Sequence, residues 1–279
     1  MRRASVIVSA VVGADHESLG GGPVPETAVV TGAGGGLERS LVSRLSAVGY
    51  DVLATDLNAE AARGAAETAP RAWSAAHDVR DPDAHRRVAQ DAAERGRLTV
   101  WVNNAAVLPL GRAWSYTDSE ISACIDANVI GVMHGSRAAI DVMRARPDER
   151  AHVVNVASFA AFGPIPQLAL YTASKHAVAG FNTSLQGDLR AEGWKIRAHL
   201  ACLDGTDTPM MAHHRDDPRA AVLRQRPLLD PDDVAQQIVA SLSTRRLVTS
   251  VPRARGLAAR LFNVVPGLSL RLLELSTRK

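Results

Sequence analysis

Thr27-Ala28-Val29-Val30-Thr31-Gly32-Ala33-Gly34-Gly35-Gly36-Leu37 is the stretch that decides the fold. The run up to Val30 has the composition of a short, buried β-strand. The glycines that follow let the backbone turn tightly and approach a pyrophosphate. Such a group then rests on the N-terminus of the next helix. That helix is predicted through Leu41, Leu45 and Val48. Strand, glycine-rich turn and helix, in that order, open a βαβ unit.

Outward from this unit, strand-like and helix-like segments alternate. Strands are predicted at Tyr50 to Ala54, Trp73 to Ala76, Leu98 to Val102, His152 to Val156, Ile196 to Ala201 and Leu247 to Val251. Between them lie an alanine-rich helix from Ala59 to Glu67 and a helix opened by Asp81-Pro82. A long helical region runs from Asp118 to Met143, another helix from Tyr171 to Ala191, and a last one from Asp230-Pro231 to Leu242. Acidic residues in a first turn, and proline just inside it, are ordinary helix-start signals. Strands separated by full helices imply crossovers and an α/β, doubly wound parallel sheet, the Rossmann arrangement, in a single domain. In such sheets ligands sit beyond the carboxyl ends of the strands. The domain is read as residues 26–252, with a flexible leader at 1–25 and a basic amphipathic tail at 253–279.

Composition narrows the function. The 279 residues are 46% hydrophobic and 22% charged, which reads as a soluble globular chain. A net charge of +3 gives no reason to expect nucleic acid as a partner. Cys124 and Cys202 lie far apart without ligand spacing and read as buried thiols of a reducing compartment. His213-His214 reads as a solvated loop, so no metal is expected. The leader is read as a cytoplasmic segment because its apolar run from Val6 to Val12 is short and gives way to Asp15-His16-Glu17. Lysine occurs only at Lys175, Lys195 and Lys279, which makes a lysine at a motif position informative.

Asp56 ends the second predicted strand, where a carboxylate can accept hydrogen bonds from the adenosine ribose. It would repel a 2′-phosphate, and no arginine or lysine follows it directly. NAD is therefore expected over NADP. The competing reading of Asp56 is a cap on the alanine-rich helix. In Tyr171-Thr172-Ala173-Ser174-Lys175, helical spacing puts the phenol and the ammonium on one face. A neighbouring cation is expected to lower the phenol's pKa and so suit Tyr171 to exchanging a proton with an alcohol or carbonyl oxygen. Ser158 ends a strand thirteen residues before Tyr171.

Together these residues resemble the short-chain dehydrogenase/reductase family, over roughly Thr27 to Val251. The resemblance implies a catalytic set of Asn128, Ser158, Tyr171 and Lys175. It implies cofactor contacts at Thr31, Gly32, Gly36, Leu37, Asp56, Asp78, Val79, Asn103, Ala105, Tyr171, Lys175 and Thr208. Asn103 has a second reading, as a tie between strands. Ser158, Phe159, Phe162 and Tyr171 are expected on the substrate side, and with Met210 and Met211 they suggest an apolar alcohol or ketone. The expected reaction is hydride transfer between NAD(H) and a secondary alcohol or its ketone. The family commonly pairs subunits, which implies a homodimer or homotetramer.

The sequence departs from the family in two places. The turn pattern Thr-Gly-x-x-x-Gly-x-Gly is met at Thr31, Gly32 and Gly36, but Glu38 stands where the third glycine belongs. Either Glu38 turns away, towards Arg39 or solvent, or dinucleotide affinity suffers. Leu203-Asp204 replaces the usual Pro-Gly after the sixth strand. These departures support an alternative, a dinucleotide-binding sensor or scaffold with weakened catalysis. Residues 210–227 read as a mobile lid. The tail reads as packing on its own chain or a second subunit, with peripheral membrane contact as the other option.

Overall fold

The computed structural model describes residues 24–220, 227–264, 267 and 271. The leader up to residue 23, residues 221–226 of the expected lid and most of the tail beyond 264 lie outside these. The described elements alternate from β1 (Glu26–Thr31) and α1 (Gly36–Ala47) through β2 (Asp51–Asp56), α2 (Ala59–Ala66), β3 (Ala72–Ala76), α3 (Pro82–Arg95) and β4 (Arg97–Asn103). Next come α4 (Asp118–Ile125), a π-helical turn (Asp126–Ile130), α5 (Gly131–Met143), β5 (Ala151–Ser158), a 3₁₀ turn (Phe159–Ala161) and α6 (Ala169–Ala191). β6 (Ile196–Leu203), α7 (Pro209–His213), α8 (Pro231–Ser241), β7 (Val248–Val251) and α9 (Arg253–Val264) complete the order.

All seven strands are parallel, in the order β3-β2-β1-β4-β5-β6-β7. The chain reverses its direction of travel across the sheet between β1 and β4, which is the switch point of a doubly wound fold. Neighbouring residues on one strand feed opposite faces. Val30 joins Leu41, Val52, Val102 and Ile238 under α1 and α8. Val29 joins Leu53, Trp101, Ala139 and Leu189 under α3, α5 and α6. Burial on both faces explains why the strands read as continuous apolar runs rather than alternating ones.

Helix starts follow the local signals. Asn58 caps α2 by accepting from the Glu60 and Ala61 amides, so the cap is not Asp56. Asp81 caps α3. The long predicted helix from Asp118 to Met143 is interrupted by the π turn, which carries Asn128. A single extra residue in a turn leaves the apolar periodicity almost intact, so the pattern alone does not betray it.

Candidate active site

The functional residues project from the carboxyl ends of the strands into one cavity of ≈ 530 Å³. Along one end the β1–α1 turn contributes Gly32, Gly35, Leu37 and Glu38, β2 contributes Asp56, and the segment after β3 contributes Asp78 and Val79. At the other end lie Ser158 from β5 and Tyr171 and Lys175 from α6. Ala105, just beyond β4, and Thr208 from the β6–α7 segment border it as well.

The turn is held tightly. Gly32 has φ +73°, and a Cβ there would lie 2.6 Å from the Ala105 Cα, so backbone conformation and space both demand glycine. Thr31 Oγ1 accepts hydrogen bonds from the amides of Asn104 (3.1 Å) and Ala105 (3.2 Å), which pins the turn to the end of β4. Asp56 accepts from Gly34 N (3.0 Å) and Asn58 N (2.8 Å), and it retains acceptor capacity facing the cavity. Gly35, the residue before α1, offers no side-chain cap to the first turn of the helix, where the Glu38 amide bonds its own carboxyl.

Glu38 turns neither towards Arg39 nor to solvent. Its Oε1 accepts from Asn104 Nδ2 at 2.5 Å. Oε2 is buried against the Gly35 backbone without a hydrogen bond of good geometry, and a Cβ at Gly35 would overlap it. Burial raises this carboxyl to about 7, hydrogen bonds from Asn104 and from its own backbone amide oppose that, and the charge of Asp56 adds to it. The glutamate therefore fills the gap between turn and β4 that a glycine would leave.

At the proton end, Lys175 is buried and donates to the Val156 carbonyl at 3.0 Å. Its Nζ lies 5.5 Å from the Tyr171 ring centroid. The expected lowering of the phenol is not found. Burial pushes Tyr171 up to about 12, with a Ser158 hydrogen bond acting in the opposite sense, and burial pushes Lys175 down to about 8. Desolvation of each group outweighs their mutual influence because the ammonium is committed to a backbone carbonyl rather than to the phenol oxygen. Asn128 sits behind this wall. Its Oδ1 accepts from Val107 N (2.8 Å), and its Nδ2 donates to Val107 O (2.9 Å) and Ser174 Oγ (3.1 Å). It thus fixes the β4–α4 segment against α6.

Other predicted residues are placed away from the wall. Asn103 ties strands and helices together: its Nδ2 donates to Asn155 Oδ1 (2.8 Å) and Ser136 Oγ (3.1 Å), and Oδ1 accepts from Trp101 Nε1 (2.7 Å). Gly36 faces the Asp207 carbonyl and Pro209. Phe159 borders the cavity, but Phe162 is not on its wall: it packs beside Phe159, with the Arg260 guanidinium 5.1 Å over its ring. Asp204, one of the two departures after β6, lines the cavity and pairs with Arg255 at 2.9 Å. The first turns of the tail, α9, are thereby docked on the body of the same chain. Arg80 also borders the cavity near Asp78, which holds it bidentately. Arg80 was not anticipated. Asn104 belongs to the Asn103-Asn104-Ala105 strand end that resembles the family's, but its bond to Glu38 was not foreseen.

A seven-stranded parallel sheet with a glycine turn at its switch point and a tyrosine–lysine helix beside it defines a nucleotide-binding oxidoreductase of the Rossmann type. The short chain dehydrogenase family matches residues 26–219, and the chain belongs to the short-chain dehydrogenase/reductase family. Similar proteins include 1-deoxy-11-beta-hydroxypentalenate dehydrogenase of Streptomyces avermitilis, 36% identical over 67% of this chain and 70% of that one. The 3-beta-hydroxysteroid dehydrogenase of Comamonas testosteroni is 32% identical over 67% of this chain and 73% of that one. Among solved structures, a short chain dehydrogenase/reductase from Burkholderia phymatum in complex with NAD superposes with a TM-score of 0.77 at 26% identity, covering 85% of this chain and 92% of that one.

Proposed function

We propose that this chain transfers hydride between NAD(H) and an apolar secondary alcohol or its ketone, with Tyr171 as the general acid and base. The observation that carries the reading is the convergence of Ser158, Tyr171 and Lys175 on the far end of the cavity whose near end is the β1–α1 turn. Residues lining the cavity suit a dinucleotide. Gly32 lets the β1–α1 turn sit against Ala105 at the edge of the cavity, and the start of α1, which no Gly35 side chain caps, would present backbone amides to a diphosphate. Asp78 and Val79 would border adenine, Asp56 the ribose next to it, and Thr208, Tyr171 and Lys175 the nicotinamide half. The cofactor supplies or accepts the hydride.

The chain's own groups handle the proton. In reduction, Tyr171 gives the phenol proton to the substrate oxygen as negative charge develops there, and Ser158 hydrogen-bonds the same oxygen. Lys175 at about 8 is mostly protonated at neutral pH, so its charge favours the phenolate left behind. In oxidation the proton returns to Tyr171. Phe159, Ile165, Met210 and Met211 give the substrate end an apolar lining, and two relatives are dehydrogenases whose names specify polycyclic hydroxy compounds. NAD is favoured because Asp56 would repel a 2′-phosphate, while Arg80, which lines the same cavity, is held by Asp78.

Turnover on a panel of hydroxysteroids and bicyclic ketones, followed by NADH absorbance, tests the reading. The parent should turn over at least one member, and Tyr171→Phe should not. A Tyr171→Phe protein with full turnover contradicts the role of Tyr171. The buried Glu38 favours a second reading, a dinucleotide-binding protein with weakened catalysis, for which the parent would bind NADH but turn over nothing.

A further inference from the structure

Glu38 is a buried acid inside the seat of an anionic group, and three observations say how it can be accommodated. The first is its enclosure. From the β1–α1 turn it faces the uncharged backbone of Gly35, from α1 its own backbone amide, from just beyond β4 the neutral amide of Asn104, and from β2 the carboxylate of Asp56. Further along the cavity are His77, kept neutral by burial, Asp78 held by Arg80, Asp204 held by Arg255, and, at the far end, Lys175. Among the described residues no arginine or lysine forms an ion pair with Glu38. A diphosphate arriving there would meet two carboxyl groups of its own sign.

The second observation is the asymmetry of the carboxyl. Oε1 already accepts a hydrogen bond from Asn104, while Oε2 is buried without one. Oε2 is therefore the atom that can carry a proton, and a protonated carboxyl is a donor where a carboxylate is only an acceptor. The third is that the carboxyl already holds its proton to about 7 in the free protein, against an ordinary 4.5. Added negative charge raises it further.

We propose that Glu38 serves the dinucleotide seat as a neutral acid, taking up one proton from solvent as the diphosphate binds, so that cofactor affinity in this chain is linked to pH. This rests on the dinucleotide reading above. The proton stays on Oε2 and no covalent bond other than that O–H forms or breaks. A glycine in the same place would bring neither the linkage nor the donor.

The test is NADH binding, read by nicotinamide fluorescence from pH 6 to 9, for the parent, Glu38→Gln and Glu38→Gly, with proton uptake measured calorimetrically in two buffers of different ionisation enthalpy. The parent's Kd should weaken by about tenfold per pH unit above about 7, with uptake approaching one proton per NADH. Glu38→Gln keeps the shape and the Asn104 contact, and its Kd should stay flat except for any slope that Lys175 imposes on all three proteins. At pH 8.5 it should bind at least about tenfold more tightly than the parent. A parent whose pH profile and proton uptake match those of Glu38→Gln overturns the proposal and leaves the dinucleotide reading standing. Failure of all three folded proteins to bind NADH or NADPH at any pH overturns both.

Discussion

The two ends of the cavity are made by the same device, side chains carried past the carboxyl ends of parallel strands, yet burial acts on them differently. At the proton end it drives both members of a potential ion pair towards neutrality, Tyr171 up to about 12 and Lys175 down to about 8. That is a resting state waiting for charge: a cation or a developing oxyanion nearby restores what desolvation has removed. At the end where we propose that the diphosphate binds, burial raises an acid to about 7, in a place where the incoming group would be negative. On that reading the same effect, desolvation, prepares one end for charge to appear and the other for charge to be tolerated.

The largest expected effect breaks the proton end alone. Tyr171→Phe should lower turnover by about 10²–10⁴-fold while leaving NADH binding within a few-fold of the parent, as steady-state rates and fluorescence titration would show. Loss of binding in step with turnover would mean that the two ends are not separable.

The next effect concerns the diphosphate end without any ligand. Below pH 4.5 folded and unfolded chains both hold the Glu38 proton. Between 4.5 and about 7 the unfolded chain releases it first, so the parent loses stability as pH rises. Glu38→Gln removes this linkage and should be more stable than the parent by about 3 kcal/mol at pH 8 and nearly equal to it at pH 4.5. Denaturant melts of both proteins at the two pH values would show it, and equal differences at both would remove the buried acid from the account.

Smaller changes probe what joins the ends. Asn128→Ala leaves the Val107 amide and carbonyl without their side-chain partner and should cost about 1–3 kcal/mol, with a loss of kcat rather than of NADH affinity. Arg255→Ala breaks a partly exposed pair with Asp204 and should cost less than about 1 kcal/mol in a thermal melt. A larger loss would show that α9 supports the cavity floor.

Much of this arrangement was legible in the sequence because parallel strands declare themselves as apolar runs and the chemistry sits at their ends. Asp56 at a strand end and the Tyr171–Lys175 spacing were readable from position, and Thr31 and Ser158 from the resemblance to the family. What position cannot give is direction. Whether Glu38 points in or out depends on a gap between the turn and Asn104, two segments far apart in sequence. Phe162 packing beside the tail depends on where Arg260 lands. The π turn under Asn128 hides in a helix whose periodicity it scarcely disturbs. The pKa values of Tyr171 and Lys175 follow from burial and from the Val156 carbonyl, neither of which a four-residue motif records.

If both ends of the cavity serve one dinucleotide, a titration of the parent with NADH and NADPH at pH 6.5, repeated on Asp56→Arg, should show it. One saturable NADH site per chain is expected, preferred over NADPH, with that preference narrowed or reversed by Asp56→Arg. A parent that binds neither nucleotide, or whose preference is untouched by the change at Asp56, would contradict it.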